Sequence, residues 1–452
     1  MSSPLLSAST ISVGSFAFGQ IVRFLSNILL AKMLAPSSFG LMAIVNMVML
    51  GLALLSDLGL RMVVIQSKNE PTPLFLNTIW VLQVLRGVGL WVLATFAGLL
   101  LIALQALDVV AGNVYADPLL PYMVIVGAFG VLFAGVESVN SMLAARSMEV
   151  QRIAIVGLAV QLLSIAATLG LAYTIESPWA LVAGGLVGAA LQCAASFLCF
   201  GRNRNYWQFD KCIAVDILKK ARWFLISSPL TFLELNGAIL LLGAMLNPTQ
   251  LGHFMIAFSI VGVFRLISQQ LTGSIMFPTF SACFRETPRQ ISRLVFKFQL
   301  ATDAILVMVA GGLFVAGPAI IALLFDYRYA DAGKLVSILG IGLIGSRQCV
   351  VEQLITAKGW FKSIPLVILP RLLILITGTV GGYYSDGIEG AAWGIALSWF
   401  AAWPYIYWKR LQLLAWSVPS ELLGLLMFCL GCMVGYAFVM LLQFVPKTLF
   451  LN

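Results

Sequence analysis

The chain has 452 residues, of which 61% are hydrophobic and only 10% carry a charged side chain. A soluble domain has roughly 25% charged residues, and its surface-to-volume ratio leaves too few interior positions to hide this much apolar surface. Lipid is therefore the solvent for most of the protein. The net charge of +9 indicates basic loops beside anionic lipid, so no nucleic-acid partner is expected. The single histidine excludes a His-rich metal site, and no metal or other cofactor is expected.

Apolar runs long enough to cross a bilayer predict thirteen membrane spans. A spanning helix needs roughly 20 apolar residues, and charged residues, prolines or glycines separate such runs in this sequence. The predicted fold is therefore all-α and polytopic. The expected spans are residues 9–31, 38–64, 77–105, 116–142, 152–174, 178–200, 222–246, 250–276, 295–323, 332–356, 362–384, 388–408 and 421–445.

Basic residues are divided unevenly between the connections, and this bias predicts the orientation. Connections after odd-numbered spans hold three basic residues, Lys32, Arg328 and Lys334, and most of the loop acids. We therefore expect the connections after even-numbered spans to be cytoplasmic, which also places the N-terminus inside. Those connections hold Lys68, Arg146, Arg152, Arg202, Arg204, Lys211, Lys219, Lys220, Arg285, Arg289, Arg293, Lys358, Lys409 and Arg410.

Two similar hairpin sequences lie half a chain apart. Residues 30–44 are LAKMLAPSSFGLMAI and residues 242–256 are LGAMLNPTQLGHFMI. In each, a proline is expected to end one helix, and Ser37 or Thr249 to cap the next. The stretches VYAD from Val114 and RYAD from Arg328 repeat at nearly the same offset. The sequence therefore predicts an internal duplication of six spans.

Two copies of six spans enter the membrane from the same side, which predicts a parallel repeat about an axis along the membrane normal. Two such lobes are expected to enclose a central cavity and to act by alternating access. The predicted domains are an N-terminal six-helix lobe over 1–200, a cytoplasmic linker over 201–221, a C-terminal six-helix lobe over 222–412 and an additional transmembrane segment over 413–452.

Ionisable residues inside the predicted spans are the candidate site residues, because each costs roughly 2.5–3.5 kcal/mol at a helix centre. Arginine suits phosphate or carboxylate through its planar fork of donors. The alternative is internal ion pairing, as between Asp57 and Arg61 one helical turn apart. No catalytic or metal-binding residues are expected. The candidate substrate-binding residues are Arg23, Arg265, Arg86, Arg371, Arg61 and Gln269, and the candidate coupling residues are Asp57, Glu234 and Asp303.

The stretch LLAKMLAPSSFGLMAIV, followed by LLSDLGLRMVVIQ, resembles the polysaccharide transporter family. This family comprises the Wzx-type oligosaccharide flippases of the multidrug/oligosaccharidyl-lipid/polysaccharide (MOP) exporter superfamily. QQLTGSIMFPTFS and GAAWGIALSWF fit its C-terminal half. The family's usual twelve or fourteen spans leave the side of the C-terminus open.

The resemblance implies a flippase of the bacterial inner membrane rather than an enzyme. Such proteins move undecaprenyl-diphosphate-linked oligosaccharide repeat units for exopolysaccharide, capsule or O-antigen synthesis. It also implies a cationic cavity, and Arg23, Arg265 and Arg61 match the family's pattern. The implied partners are the lipid-linked substrate, membrane lipids and the polymerase and chain-length machinery, with the chain acting as a monomer.

Three other functions remain as alternatives. A major-facilitator transporter shares the six-plus-six plan, but its G-x-x-x-D-R-x-G-R run is absent from IQSKNEPTPLF at 65–75. A multidrug cation exporter favours an acidic cavity, whereas the deep charges here are mostly basic. A membrane-embedded polysaccharide polymerase or glycosyltransferase is expected to have a large outer loop, and the outer connections here are short.

Overall fold

The computed structural model describes residues 3–443 except 56–59, 61–62, 65–71, 109, 111, 148, 202–204, 287–289, 361–362 and 414–417. Its contacts divide the chain into two compact units, Met1–Thr249 and Gln250–Asn452, called here the N-terminal and C-terminal units. The described residues form helices joined by short turns, which confirms the predicted all-α, multi-pass fold.

The N-terminal unit has nine described helices. A short 3-10 turn, Val114–Ala116, follows the third of them. They are α1 (Ser3–Met33), α2 (Pro36–Leu55), α3 (Pro73–Ala106), α4 (Leu120–Gly127), α5 (Phe129–Val136), α6 (Asn140–Arg146), α7 (Val150–Ile175), α8 (Trp179–Leu198) and α9 (Lys211–Met245).

The C-terminal unit has eight described helices. A π-helical turn, Thr272–Met276, follows the first of them, and a 3-10 turn, Tyr327–Tyr329, follows the third. They are α10 (Pro248–Leu271, whose first residues belong to the N-terminal unit), α11 (Phe277–Glu286), α12 (Ile291–Leu324), α13 (Ala332–Ser346), α14 (Cys349–Ala357), α15 (Ile364–Ser398), α16 (Trp403–Gln412) and α17 (Val418–Gln443).

Each of the thirteen predicted spans overlaps a described helix or a group of consecutive helices, and residues 56–59 and 61–62 of the second span and 444–445 of the thirteenth lie outside the described residues. Nine described stretches are long and apolar enough to cross a membrane, or ten if α4 to α6 form one bent span. The seventh predicted span is the last part of α9, of which the described residues include the apolar helical stretch Phe232–Met245. The eleventh and twelfth share the continuous stretch Ile364–Gln412.

Within α15 the chain reverses where the sequence predicts a break between two spans. Asp386 and Gly387 have non-helical backbone angles, and Gly387 has φ +58°, a conformation that favours glycine. Gly382 and Gly390 then face each other so closely that a Cβ on either would lie 2.1 Å from the other's carbonyl oxygen. The two arms of α15 therefore pack backbone to backbone as an antiparallel hairpin.

The helix boundaries in the repeated hairpins differ from the prediction. Pro36 begins α2 and Pro248 begins α10, so neither proline ends the preceding helix. Ser37 and Thr249 consequently lie inside the first turn rather than at the cap. The reason is that proline, with its fixed φ and no N–H, fits the first helical position, where that N–H has no helical partner.

The predicted linker over 201–221 is helical from Lys211 onward, because α9 begins there. Asp210 caps this helix, its carboxylate accepting from the backbone N–H groups of Cys212 and Ile213. The residues before it are fixed to α3: Asn77 donates to Gln208 at 2.9 Å and accepts from the backbone N–H of Tyr206 at 3.1 Å. The lobe boundaries proposed from the repeat remain a prediction.

The thirteenth predicted span, α17, packs along α12 through glycines. A Cβ on Gly431 would lie 2.0 Å from the Met308 carbonyl oxygen, and one on Gly311 would lie 2.3 Å from that of Phe428. Small residues allow such backbone approach between membrane helices. The C-terminal segment is therefore an integral part of the C-terminal unit.

Candidate functional site

Arg23 lies on α1 with its side chain exposed. The helix is 31 residues long, and in the described part of the chain the guanidinium makes no ion pair. The backbone carbonyl of Arg23 accepts a hydrogen bond from the Ser26 hydroxyl at 2.8 Å. A cation on a membrane helix is costly against lipid, so this position favours contact with water or an anion.

Arg265 and Gln269 lie one turn apart on α10. The half-buried guanidinium of Arg265 lies 5.2 Å from the ring centre of Trp399 and 5.6 Å from that of Phe258. These are cation–π distances, which orient the guanidinium while it keeps its charge. Gln269 is exposed, and its backbone carbonyl accepts from the Thr272 hydroxyl.

Two glycines of α13 make room for the Trp399 ring. A Cβ on Gly342 would lie 2.3 Å from an indole carbon, and one on Gly345 would lie 2.7 Å from the Trp399 Cβ. Trp399 therefore sits tightly against α13, and the aromatic partner of Arg265 is fixed by packing.

The arginines on α3 and α15 bind groups of the protein. Arg86 donates through Nη2 to the Ala53 carbonyl oxygen of α2 at 2.6 Å. Arg371 forms an ion pair with Glu352 of α14. Both side chains are half-buried. Each therefore already contacts a group of the protein, as the alternative of internal pairing expects, and is also partly accessible.

Asp303 lies in a buried charge network of the C-terminal unit. Its Oδ1 and Oδ2 accept from Nε and Nη2 of Arg347 at 2.9 and 2.7 Å, and both side chains are almost fully buried. Gln299 also donates to Oδ1 at 3.0 Å. A Cβ on Gly424 of α17 would lie 2.9 Å from Nη2 of Arg347, so this glycine leaves space for the guanidinium.

Glu421 extends the network from Arg347 to α16. Its two oxygens accept from Arg347 at 2.7 Å and from Arg410, which is fully buried, at 2.8 Å. The Tyr407 hydroxyl donates to the same carboxylate at 2.9 Å. Two arginines and two carboxylates thus cancel one another across α12, α13, α16 and α17, which is how buried charges are tolerated.

The remaining candidates are Glu234, Asp57 and Arg61. Glu234 is half-buried on α9. Asp57 and Arg61 lie outside the described residues. Among the residues that the structure describes, no three His, Cys, Asp or Glu side chains are grouped to hold a metal ion.

The repeated Tyr-Ala-Asp stretches lie in the two 3-10 turns, outside the membrane spans. Tyr329 is fully buried and stacks edge-on with His253, whose Nε2 lies 2.9 Å from the Arg328 carbonyl oxygen. Burial raises the pKa of Tyr329 and also that of Tyr115, the equivalent residue of the first repeat. The turns therefore anchor a neutral phenol in both units.

Several contributors were missed from the sequence. Trp399 and Phe258 lie far from Arg265 in number, and only the GAAWGIALSWF stretch pointed to the region of Trp399. Arg410 was assigned to a cytoplasmic connection, yet its side chain is fully buried. No local pattern signals that Glu421 pairs with Arg410.

Several solved structures of transporters are similar in fold to this chain. The chain is similar to "Lipid II flippase MurJ, inward closed conformation", with TM-score 0.71, 12% identity, and coverage of 95% of this chain and 100% of that chain. It is similar to the inward-facing "multidrug resistance MATE family transporter of the MOP superfamily", with TM-score 0.62, 16% identity, and coverage of 88% and 95%.

A third similar structure is a MOP superfamily transporter from Pyrococcus furiosus, titled for the reverse polarity of its binding pocket. It matches with TM-score 0.55, 15% identity, and coverage of 90% of this chain and 96% of that chain. At such identities the likeness shows the fold, which is that of MOP-superfamily transporters.

No curated protein sequence matches the chain significantly. A sequence model of the family described as "Polysaccharide biosynthesis protein" matches residues 29–357. This match covers well over half of the 452 residues and agrees with the resemblance seen in the sequence. The chain therefore belongs to the polysaccharide biosynthesis protein family, as a multi-pass membrane protein with a MOP-transporter fold.

Proposed function

We propose that this protein is a flippase that moves undecaprenyl-diphosphate-linked oligosaccharide repeat units across the bacterial inner membrane. The proposal joins the polysaccharide biosynthesis family to the transporter fold. The product of such transport feeds exopolysaccharide, capsule or O-antigen synthesis. The N-terminus is cytoplasmic in this proposal, because basic residues concentrate in the connections after even-numbered spans.

The observation that carries the proposal is the exposed guanidinium of Arg23 on a membrane helix. Lipid contact would cost roughly 2.5–3.5 kcal/mol, whereas a diphosphate offers the bidentate oxygens that arginine binds best. Arg265 supplies a second cation, oriented by Trp399 and Phe258. We propose that these two arginines contact the diphosphate as the protein alternates between its inward-open and outward-open states.

The other predicted residues are proposed either as further substrate contacts or as coupling residues. Gln269, exposed one turn from Arg265, contacts the sugar or the diphosphate. Arg86, Arg371 and Arg61 are proposed as further contacts for the anionic substrate, and Arg86 and Arg371 also bind groups of the protein. Coupling to an ion through Asp57, Glu234 or Asp303 remains a prediction, and Asp303 already has Arg347 as its counter-ion.

Cells that lack this protein provide the test. They should accumulate lipid-linked repeat units on the cytoplasmic leaflet, and wild-type protein should clear them. Arg23→Gln and Arg265→Gln should fail to clear them, whereas Lys334→Gln, at an exposed pair with Glu389, should behave as wild type. Absence of accumulation would show that the substrate class is wrong. Normal clearance by both arginine variants would reject the site and keep the flippase.

A further inference from the structure

A cavity of about 430 Å³ opens where α12 begins, in the C-terminal unit. One wall is α11, which contributes Thr279 and Cys283, and the other is the start of α12, which contributes Arg293 and Lys297. None of these residues belongs to the candidate substrate site described above.

The length of α12 and its predicted span indicate that the mouth of this cavity lies near the membrane surface. Helix α12 has 34 residues and is therefore about 51 Å long, whereas the hydrocarbon core of a bilayer is about 30 Å thick. Arg293 and Lys297 occupy the first two turns and are exposed; Arg293 precedes the predicted span 295–323 and Lys297 lies two residues inside its edge, where a long side chain reaches the headgroups. The positive-inside bias puts this end of the helix on the cytoplasmic side.

The two cations and one amide lie along a single stripe of α12. Gln290 precedes Arg293 by three residues and Lys297 follows it by four, spacings that place side chains on one helix face. Among the described residues neither Arg293 nor Lys297 forms an ion pair. The stripe therefore presents to the cavity two positive charges that no described carboxylate neutralises.

The floor of the cavity is apolar. Leu294 is half-buried and Cys283 is buried, and both belong to a cluster around the fully buried Phe280 and Val295. This cluster joins α11 to α12 and α14, so the wall is held by the core of the unit. A cationic rim above an apolar floor matches a lipid at its headgroup, where a phosphate adjoins hydrocarbon.

We propose that this cavity binds the phosphate group of a membrane lipid at the cytoplasmic surface. Arg293 and Lys297 contact the phosphate oxygens, Gln290 donates an additional hydrogen bond, and Leu294 and Cys283 contact the first carbons of the lipid chain. Two lipids carry this chemistry, an anionic phospholipid and a polyprenyl diphosphate. The site does not depend on the proposed transport activity, because it concerns binding alone.

The test uses the full-length protein in phosphatidylcholine nanodiscs that contain a small fraction of photoactivatable phosphatidylglycerol. Cross-linked peptides are then identified by mass spectrometry. Labelling of the segment 279–297 should fall on the order of 10- to 30-fold in the Arg293→Gln/Lys297→Gln variant, since each basic residue contributes on the order of fivefold near an anionic lipid. The charge-retaining Arg293→Lys/Lys297→Arg variant should keep most of the labelling, which separates lost binding from misfolding.

A charge-matched control is Arg152→Gln/Lys211→Gln. Both of its positions are exposed, and both are predicted to be cytoplasmic, so labelling of 279–297 should remain unchanged. Competition by geranylgeranyl diphosphate then distinguishes the two sources: displacement assigns the site to the polyprenyl diphosphate, and persistence assigns it to phospholipid. Equal labelling of 279–297 in the wild type and the double Gln variant would overturn the proposal.

Discussion

Arg347 and Asp303 form a bidentate ion pair inside the C-terminal unit, with N–O distances of 2.9 and 2.7 Å. The residues are 44 positions apart, Arg347 directly after α13 and Asp303 on α12, and Glu421 of α17 also accepts from the guanidinium. A planar fork with two parallel hydrogen bonds fixes orientation as well as charge. The pair, with Glu421, therefore links α12, the end of α13 and α17.

Removing Arg347 should destabilise the protein strongly. Arg347→Met leaves Asp303 buried without a counter-ion, and breaking such a pair costs roughly 3–5 kcal/mol. The free energy of unfolding in detergent micelles measures this loss. Asp303→Asn added to Arg347→Met should recover part of it, because the buried charge is then gone.

The matched control for this prediction is the exposed pair of Lys334 and Glu389, whose lysine side chain is 70% exposed. Lys334→Met should change the free energy of unfolding by less than about 1 kcal/mol. A similar loss at Lys334 and at Arg347 would contradict the structural role given to the buried network.

Gly431 should not tolerate a methyl group. In Gly431→Ala the new Cβ would lie 2.0 Å from the Met308 carbonyl oxygen, so α17 must move away from α12 at a cost of roughly 1–3 kcal/mol. Gly381→Ala is the control, since no atom lies within 4 Å of a Cβ there and alanine favours the helix. The unfolding temperature of Gly431→Ala should be lower than that of the wild type, and that of Gly381→Ala should be equal to it or higher.

The sequence predicted what depends on local patterning. Apolar run length located the spans, and the Asp386–Gly387 break was expected because charge and glycine interrupt the run there. The pairing of charges was not predictable. Arg347 pairs with Glu421, which lies 74 positions further along the chain. In the sequence, the buried Arg410 looks the same as an arginine in an interfacial loop. Long-range packing decides both, and neither leaves a periodic signal.

The sequence predicted which residue types form the candidate site, but only part of what surrounds each of them. Arg23 and Arg265 are conspicuous as cations far from the ends of apolar runs, and both remain candidates. Sequence could not show that Arg371 would meet Glu352 on another helix, nor that Trp399 would lie beside Arg265. Both contacts arise only when distant segments pack.

Alkaline stability should depend on Tyr329. Burial raises the pKa of this phenol above its ordinary value of 10.0, so above about pH 10 the unfolded chain loses a proton that the folded chain keeps. The unfolded state is then favoured, and stability falls as the pH rises, by at most about 1.4 kcal/mol per pH unit for one group. Tyr329→Phe should decline less steeply above pH 10 when unfolding is followed against pH. Tyr327→Phe, at a side chain that is 88% exposed, should keep the wild-type slope.

Trp399 should control the orientation of Arg265. Trp399→Phe keeps an aromatic face but replaces the indole by a smaller phenyl ring. The transport rate should therefore fall modestly while the protein remains folded. Arg265→Gln removes the charge and should lower transport on the order of 10- to 100-fold, the worth of one charged hydrogen bond. Initial transport rates, compared with unfolding temperatures for the same variants, check this. Equal transport in wild type and Arg265→Gln would remove Arg265 from the site.

Flipping by the purified protein in liposomes tests the proposed transport activity most directly. Undecaprenyl-diphosphate-linked oligosaccharide is placed in both leaflets, and its accessibility to an externally added glycosidase is followed over time. Wild-type protein should make the inner-leaflet pool accessible, Arg23→Gln should slow this strongly, and protein-free liposomes should protect the pool. If the inner pool remains protected with folded wild-type protein present, the proposed flippase activity is contradicted.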